Sequence, residues 1–201
     1  MSVRDAGVGC PPSLLTMTTT SSAATIVVGN PKANSRTLES ARVVTGAIVE
    51  AVGWSDSAPP FEIDLALVAN EIFDWQSTAV GAHVDVLRQS RLAVVASPVY
   101  KATYTGLLKA FLDRIGHGEL HDVVVVPLMV GGAPQHALAV EVYLRPLLAE
   151  LGAVLPTRGL FLLESELANV SELVDKWLTS ESHTQRLRRA LGDDAAESST
   201  T

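Results

Sequence analysis

The sequence predicts an α/β fold, a three-layer sandwich built on a five-stranded parallel sheet. Short apolar, β-branched runs alternate along the chain with amphipathic helical stretches, the pattern of strands joined by crossover helices. Several of the runs are apolar at consecutive positions, as strands covered on both faces must be. A chain of 201 residues, 47% hydrophobic and 18% charged, is ample for one such core.

The first strand is "TIVVG" (Thr25 to Gly29). A helix follows from about Arg36 to Ala51, with Leu38, Ala41, Val44, Ala47 and Ile48 at helical spacing; Gly53 and "SDSAPP" stop it. "FEIDLAL" (Phe61 to Leu67) alternates and reads as a second strand nearer an edge. "NEIFDWQSTAVG" is an irregular excursion, and Val80 to Gln89 form a helix. The third strand is Leu92 to Ala96, followed by a helix from about Tyr104 that Gly116 closes. Thr103 or Thr105 can cap that helix, and Leu107, Leu108, Phe111, Leu112 and Ile115 form its apolar stripe. The fourth strand, Asp122 to Val130, contains Pro127, which removes a ladder donor, so the pairing should end or bulge there. A helix from about His136 to Leu151, a fifth strand around Gly159 to Leu163 and a last helix from about Glu166 to Leu191 complete the order.

Five strands so connected imply right-handed crossovers and fit the flavodoxin-like strand order 2-1-3-4-5. The expected domain covers residues 25–191, with 1–24 a disordered, polar extension and 192–201 a loose tail. Met17 is an alternative start.

Composition excludes several classes. The net charge of −7 argues against a nucleic-acid or anionic-membrane surface. Arg186, Arg188 and Arg189 alternate with apolar helix positions and read as a solvated face. One cysteine, Cys10, excludes an internal disulfide and a four-cysteine zinc site and suits a reducing compartment. No apolar run approaches the roughly 20 residues of a membrane span, and "SLL" is too short for an export signal, so a cytoplasmic location is expected. No histidine falls in a His/Cys/carboxylate cluster, so no metal site is expected.

In this fold ligands bind beyond the carboxyl ends of the strands, which singles out the loops after strands one, three and four. The first, "GNPKANSRT" (Gly29 to Thr37), offers hydroxyls, amides and a helix N-terminus, where free N–H groups and the dipole favour an anion. Ser35, Arg36 and Thr37 would face a phosphate, with Asn30 and Lys32 on the rim. It matches neither the Walker motif nor the three-glycine dinucleotide fingerprint, and a plain capped helix is the simpler reading of the loop alone. In the second, "SPVYK", Pro98 pushes Ser97 toward extended geometry and interrupts the strand, while Val99 and Tyr100 offer backbone groups and an apolar edge to a flat ring. In the third, "VGGAPQH", Gly131 and Gly132 allow positive φ and close backbone approach. Taken jointly, an anion cradle beside surface for a planar group points to a flavin or nucleotide site.

"SPVYKATYTGLLKAFLD", "GGAPQHALAVEVYLRPLLAELGA" and "GNPKANSRT" resemble the NADPH-dependent FMN reductases, most closely those serving two-component alkanesulfonate-type and EDTA-type monooxygenases. The resemblance covers Thr25 to about Leu191. It implies a homodimer or homotetramer that passes a hydride from NADPH or NADH to FMN and releases reduced flavin to a partner monooxygenase. It also implies that Ser35, Arg36 and Thr37 contact the phosphate, and that Pro98, Val99, Tyr100, Gly131 and Gly132 line the isoalloxazine ring. No catalytic side chain is called for, because the flavin carries the chemistry, and Lys101 has no necessary task. The same fold also serves FMN-bound quinone, azo or metal-ion reductases and flavodoxin-type electron carriers. Two departures stand out. Asn30 and Lys32 replace the family's usual serine and arginine, and Tyr143 lies one place along from the family tyrosine, roughly 100° around an α-helix. In relatives that tyrosine sits in a π-type bulge at a subunit interface, and an equivalent bulge is compatible with this sequence.

Overall fold

A computed structural model describes residues 24–192 apart from Asp56. Cys10, Met17 and all but Ala24 of the expected extension lie outside the described residues, as does the tail beyond Gly192. Five strands form one parallel sheet in the order β2-β1-β3-β4-β5, the order expected from the sequence.

The first strand, β1 (Ala24–Val28), is buried along its whole length and begins one residue before the expected Thr25. Helix α1 (Arg36–Ala51) occupies the expected span, packing Leu38, Ala41, Val44 and Ile48 on the sheet. Strand β2 (Phe61–Asp64) is shorter than expected. The Asp64 carboxylate accepts from Ala66 N at 3.2 Å and so caps a 3₁₀ segment, Leu65–Glu71, that ends the strand. Helix α2 (Thr78–Arg88) is capped by Ser77.

The third strand, β3 (Leu92–Pro98), is buried throughout and runs two residues past its expected end. Pro98 is tolerated because of the side it faces. Val99 N donates to Val130 O at 2.7 Å, so the nitrogen of the preceding residue points toward β1, which has already ended at Val28. Pro127 is accommodated in the same way in β4 (Val124–Gly131), whose pairing with β3 continues through Val95 and Pro127 without a bulge. Val125 N donates to Val154 O at 2.8 Å, and two residues on, Pro127 faces the same edge before β5 begins opposite Leu128. A missing donor costs nothing where no acceptor stands opposite.

Helix α3 (Gly106–Leu112) is shorter than its apolar stripe, with Thr105 as the N-cap and Asp113 rather than Gly116 at its end. The segment after β4 is not one α-helix. A 3₁₀ turn (Pro134–His136) is followed by a π-helical stretch (Val140–Leu144) and then α4 (Arg145–Glu150). After β5 (Leu160–Leu163), the expected last helix is likewise divided into a 3₁₀ segment (Glu164–Asn169), α5 (Val170–Thr179) and α6 (His183–Leu191). The break between the last two falls at Glu181 and Ser182, with φ of 47° and 58°. It lets buried His183 pack against Trp177 with ring centroids 4.6 Å apart and its Nδ1 2.8 Å from Trp177 O.

Two cores result, one on each face of the sheet. Helices α1, α5 and α6 cover Ile26, Val94 and Val126; α2, α3 and α4 cover Val27, Val95 and Val125. Each such valine contributes about 1.5–3 kcal/mol on burial. No described helix is long and apolar enough to cross a membrane.

Candidate functional site

The loop after β1 is held by its own side chains. Asn30 Oδ1 accepts from Lys32 N at 2.9 Å, and its Nδ2 donates to Thr37 Oγ1 at 3.1 Å. Asn34, at φ 51°, donates its amide to Asp64 Oδ2 at 2.9 Å, tying the loop to the end of β2. Buried Ser35 caps α1 by accepting from Leu38 N. The amides of Arg36 and Thr37 have no partner within the helix, as in the first turn of any α-helix, and they carry the positive end of its dipole. The Arg36 guanidinium extends over this turn and donates to Glu164 Oε2 at 3.0 Å.

The turn after β3 is a tight one. Tyr100 and Thr103 exchange both backbone hydrogen bonds, at 2.9 and 3.2 Å, around Lys101 and Ala102, whose φ angles are 50° and 68°. Non-glycine residues in this left-handed region cost of order 1–3 kcal/mol each, strain of the kind that gathers at functional sites. The turn leaves Tyr100 52% exposed. Backbone donors expected at Val99 and Tyr100 are not free, because these amides already bond Val130 O and Thr103 O. What they offer a ligand is side chain. Behind the turn, Ser97 Oγ accepts from Thr105 N at 3.1 Å, and Thr105 Oγ1 donates to Gly29 O, so the loops after β1 and β3 are fixed to each other.

The paired glycines differ from expectation and from each other, for neither has positive φ. A Cβ on Gly131 would lie 2.8 Å from Phe161 Cε2 and 3.3 Å from Val99 Cγ2, so this glycine lets β5 pack. A Cβ on Gly132 would meet nothing within 4 Å, which leaves open space above the end of β4.

A cavity of about 180 Å³ joins these pieces, lined by Asn30, Lys32, Ser35, Arg36, Thr37, Pro98, Tyr100, Val130 and Glu164. Seven of the ten expected residues therefore share one cavity; Val99, Gly131 and Gly132 stand beside it at the ends of β3 and β4. Its donors, two cationic side chains and a helix start, suit a dianion, and its apolar edge suits a ring. Sequence reasoning missed Glu164. The signal was its position as the first polar residue past "LFLL", where the fifth strand also reaches the crevice. Among the described residues no three His, Cys, Asp or Glu side chains gather into a metal-binding group.

Residues 23–168 match the family described as NADPH-dependent FMN reductase. Among relatives, the FMN reductase (NADPH) of Escherichia coli (strain K12) is 37% identical over 144 residues, 70% of this chain and 72% of that protein. The NADH-dependent FMN reductase SfnF of Pseudomonas putida is 35% identical over 118 residues, 59% of this chain but only 60% of the relative's length. Among solved structures, the apo form of NADH:FMN oxidoreductase (EMOB) superposes with a TM-score of 0.65 at 29% identity, covering 81% of this chain and 93% of that one.

Proposed function

Because the chain belongs to the NADPH-dependent FMN reductase family, we propose that it binds FMN in this cavity and reduces it with NADPH or NADH. The observation that carries the reading is the joint lining of one cavity by the anion-binding start of α1 and the ends of β3 and β4. The residues fit the group: Ser35, Arg36 and Thr37 would hold the phosphate, with Asn30 and Lys32 at its rim, while Pro98, Val99, Tyr100, Gly131 and Gly132 would border the ring.

FMN bound there would supply the redox chemistry, as acceptor at N5 of a hydride from nicotinamide C4. The protein's part is positioning. The start of α1 would anchor the phosphate electrostatically, and the hydrogen-bonded Tyr100–Thr103 turn would hold the Tyr100 side chain beside the ring. Gly132 leaves backbone close to the ring without a Cβ in the way. No side chain is required to move a proton during hydride transfer.

The reading extends to release of reduced FMN to a partner monooxygenase in a cytoplasmic two-component system. Arg36 supports it: its side chain is largely exposed and already donates to Glu164, so a phosphate there would share the cation with a carboxylate. It extends also to a homodimer or homotetramer. Leu138, Val142 and Tyr143 are 70%, 55% and 47% exposed along and just before the π-helical stretch, an apolar surface that a second copy would cover.

The test is oxidation of NADPH and of NADH by the purified protein with and without added FMN. Turnover that rises with free FMN is expected. Turnover indifferent to FMN but dependent on a quinone would assign the chain to quinone reduction instead.

A further inference from the structure

We propose that Asp64, which does not line the cavity, is a positioning residue for the phosphate: it holds the loop after β1 so that the start of α1 presents its amides to the ligand. This rests on the flavin reading above. Strand β2 ends level with β1, Asp64 standing opposite Val28 in the register, at the point where the loop carrying the phosphate residues leaves the sheet. Asp64 is 8% exposed, and its two oxygens serve two different segments. Oδ2 accepts from Asn34 N at 2.9 Å, in the loop before α1, and Oδ1 accepts from Ala66 N at 3.2 Å, in the segment that follows β2.

Asn34 is where this matters. It precedes the Ser35 cap and holds a left-handed φ of 51°, which costs an L residue energy unless something fixes it. A charge-assisted bond from its amide to a buried carboxylate fixes it. A return of Asn34 to negative φ would turn the chain that enters α1. Ser35 Oγ, which accepts from Leu38 N at 3.3 Å, would turn with it, as would the amides of Arg36 and Thr37. Asn30 clamps the other side of the loop, through Lys32 N and Thr37 Oγ1. The loop is therefore held from β1 by Asn30 and from β2 by Asp64.

Charge and geometry make opposite demands at this position. A carboxylate next to an anion-binding loop has the wrong sign for attraction, and an asparagine would relieve the repulsion. An amide side chain, however, has one acceptor oxygen where two N–H donors must be met, and its NH₂ would face one of them. Asp64→Asn therefore separates the two effects by sign. Loss of the charge alone strengthens FMN binding, and loss of the clamp weakens it. The clamp prevails, because a direct bond to a buried carboxylate outweighs a through-space repulsion that solvent and salt screen.

The experiment is equilibrium binding of FMN and of riboflavin, which lacks the phosphate, followed by quenching of flavin fluorescence. The proteins are the wild type, Asp64→Asn, and Asp64→Asn combined with Asn34→Gly. Asp64→Asn should weaken FMN about fivefold or more while riboflavin stays within about twofold, because only FMN reaches the start of α1. In turnover, its KM for FMN should rise while kcat at saturating FMN stays near wild type. Glycine adopts positive φ without steric cost, so Asn34→Gly should recover part of the lost FMN affinity. If Asp64→Asn does not fold, Asn34→Ala, which keeps the amide donor on an exposed residue but raises the cost of its left-handed φ, is judged by the same ratio of flavin affinities. Tighter or unchanged FMN binding by Asp64→Asn, equal losses for both flavins, or a loss that glycine does not reduce overturns the positioning role and leaves the FMN reading standing. Failure of the wild type to bind FMN overturns that reading, and the positioning role with it.

Discussion

Arg36 and Glu164 meet beside the cavity at the start of α1, with Nη2 and Oε2 3.0 Å apart, and so join that helix to the end of β5. Both side chains are well exposed, so the pair adds little to stability. Its consequence is competition. Glu164→Gln should tighten FMN binding by up to roughly fivefold at low salt, the order expected for an exposed ion pair, with the gain shrinking as ionic strength rises. Fluorescence titration at two salt concentrations checks this; weaker binding by the variant would mean that Glu164 helps to hold the ligand.

The glycines at the end of β4 should separate in their effects. Gly131→Ala forces a Cβ into the Phe161 ring and should cost about 1–3 kcal/mol by overpacking, read by chemical denaturation. Gly132→Ala meets open space, so its stability should stay close to wild type while FMN affinity falls. Loss of stability at both positions, with affinity retained, would remove Gly132 from the site.

Thr105 links three elements. Its hydroxyl caps α3 through Leu108 N, donates to Gly29 O, and its amide bonds Ser97 Oγ. Thr105→Val keeps the volume but loses the cap and leaves the Gly29 carbonyl short of a donor, at a cost of about 1–3 kcal/mol. Because this bond ties the loops after β1 and β3 together, FMN affinity should fall as well.

His83 sets a pH dependence. Burial on α2 pushes its imidazole below the usual value, so the folded protein prefers it neutral. Well above the ordinary imidazole pKa, ~6.5, both states are neutral and the contribution is whole. As the pH falls through that value the unfolded chain protonates first, and stability declines until the lower folded pKa is passed. Denaturation midpoints between pH 7.5 and 5.5 should fall in the wild type, with a shallower slope in His83→Gln.

Much of this was legible in the sequence, and the misreadings have particular causes. The consecutive apolar residues of Val123 to Val126 and Leu92 to Ala96 read as buried strands, and their alternation with helices fits the parallel sheet and strand order observed. Pro98 and Pro127 were read as breakers because a sequence does not show which edge each nitrogen faces. The last helix was read as continuous because the apolar spacing carries across Glu181 and Ser182, where only tertiary packing of His183 under Trp177 justifies left-handed backbone. The shifted Tyr143 lies within a π-helical stretch, Val140–Leu144, so the bulge compatible with the sequence is present around it. Of the residues that line the cavity, those around the start of α1 were legible from capping and helix-end electrostatics. Glu164 was not, because its role comes only from meeting Arg36, 128 positions away.

The central claim is that the start of α1 holds the phosphate of FMN. Titration calorimetry with FMN and with riboflavin, which lacks that phosphate, tests it most directly in wild type and Arg36→Ala. FMN should bind the wild type at least tenfold more tightly than riboflavin does, and Arg36→Ala should narrow that ratio while the protein stays folded. Equal affinity for the two flavins, or a ratio untouched by Arg36→Ala, would contradict the account.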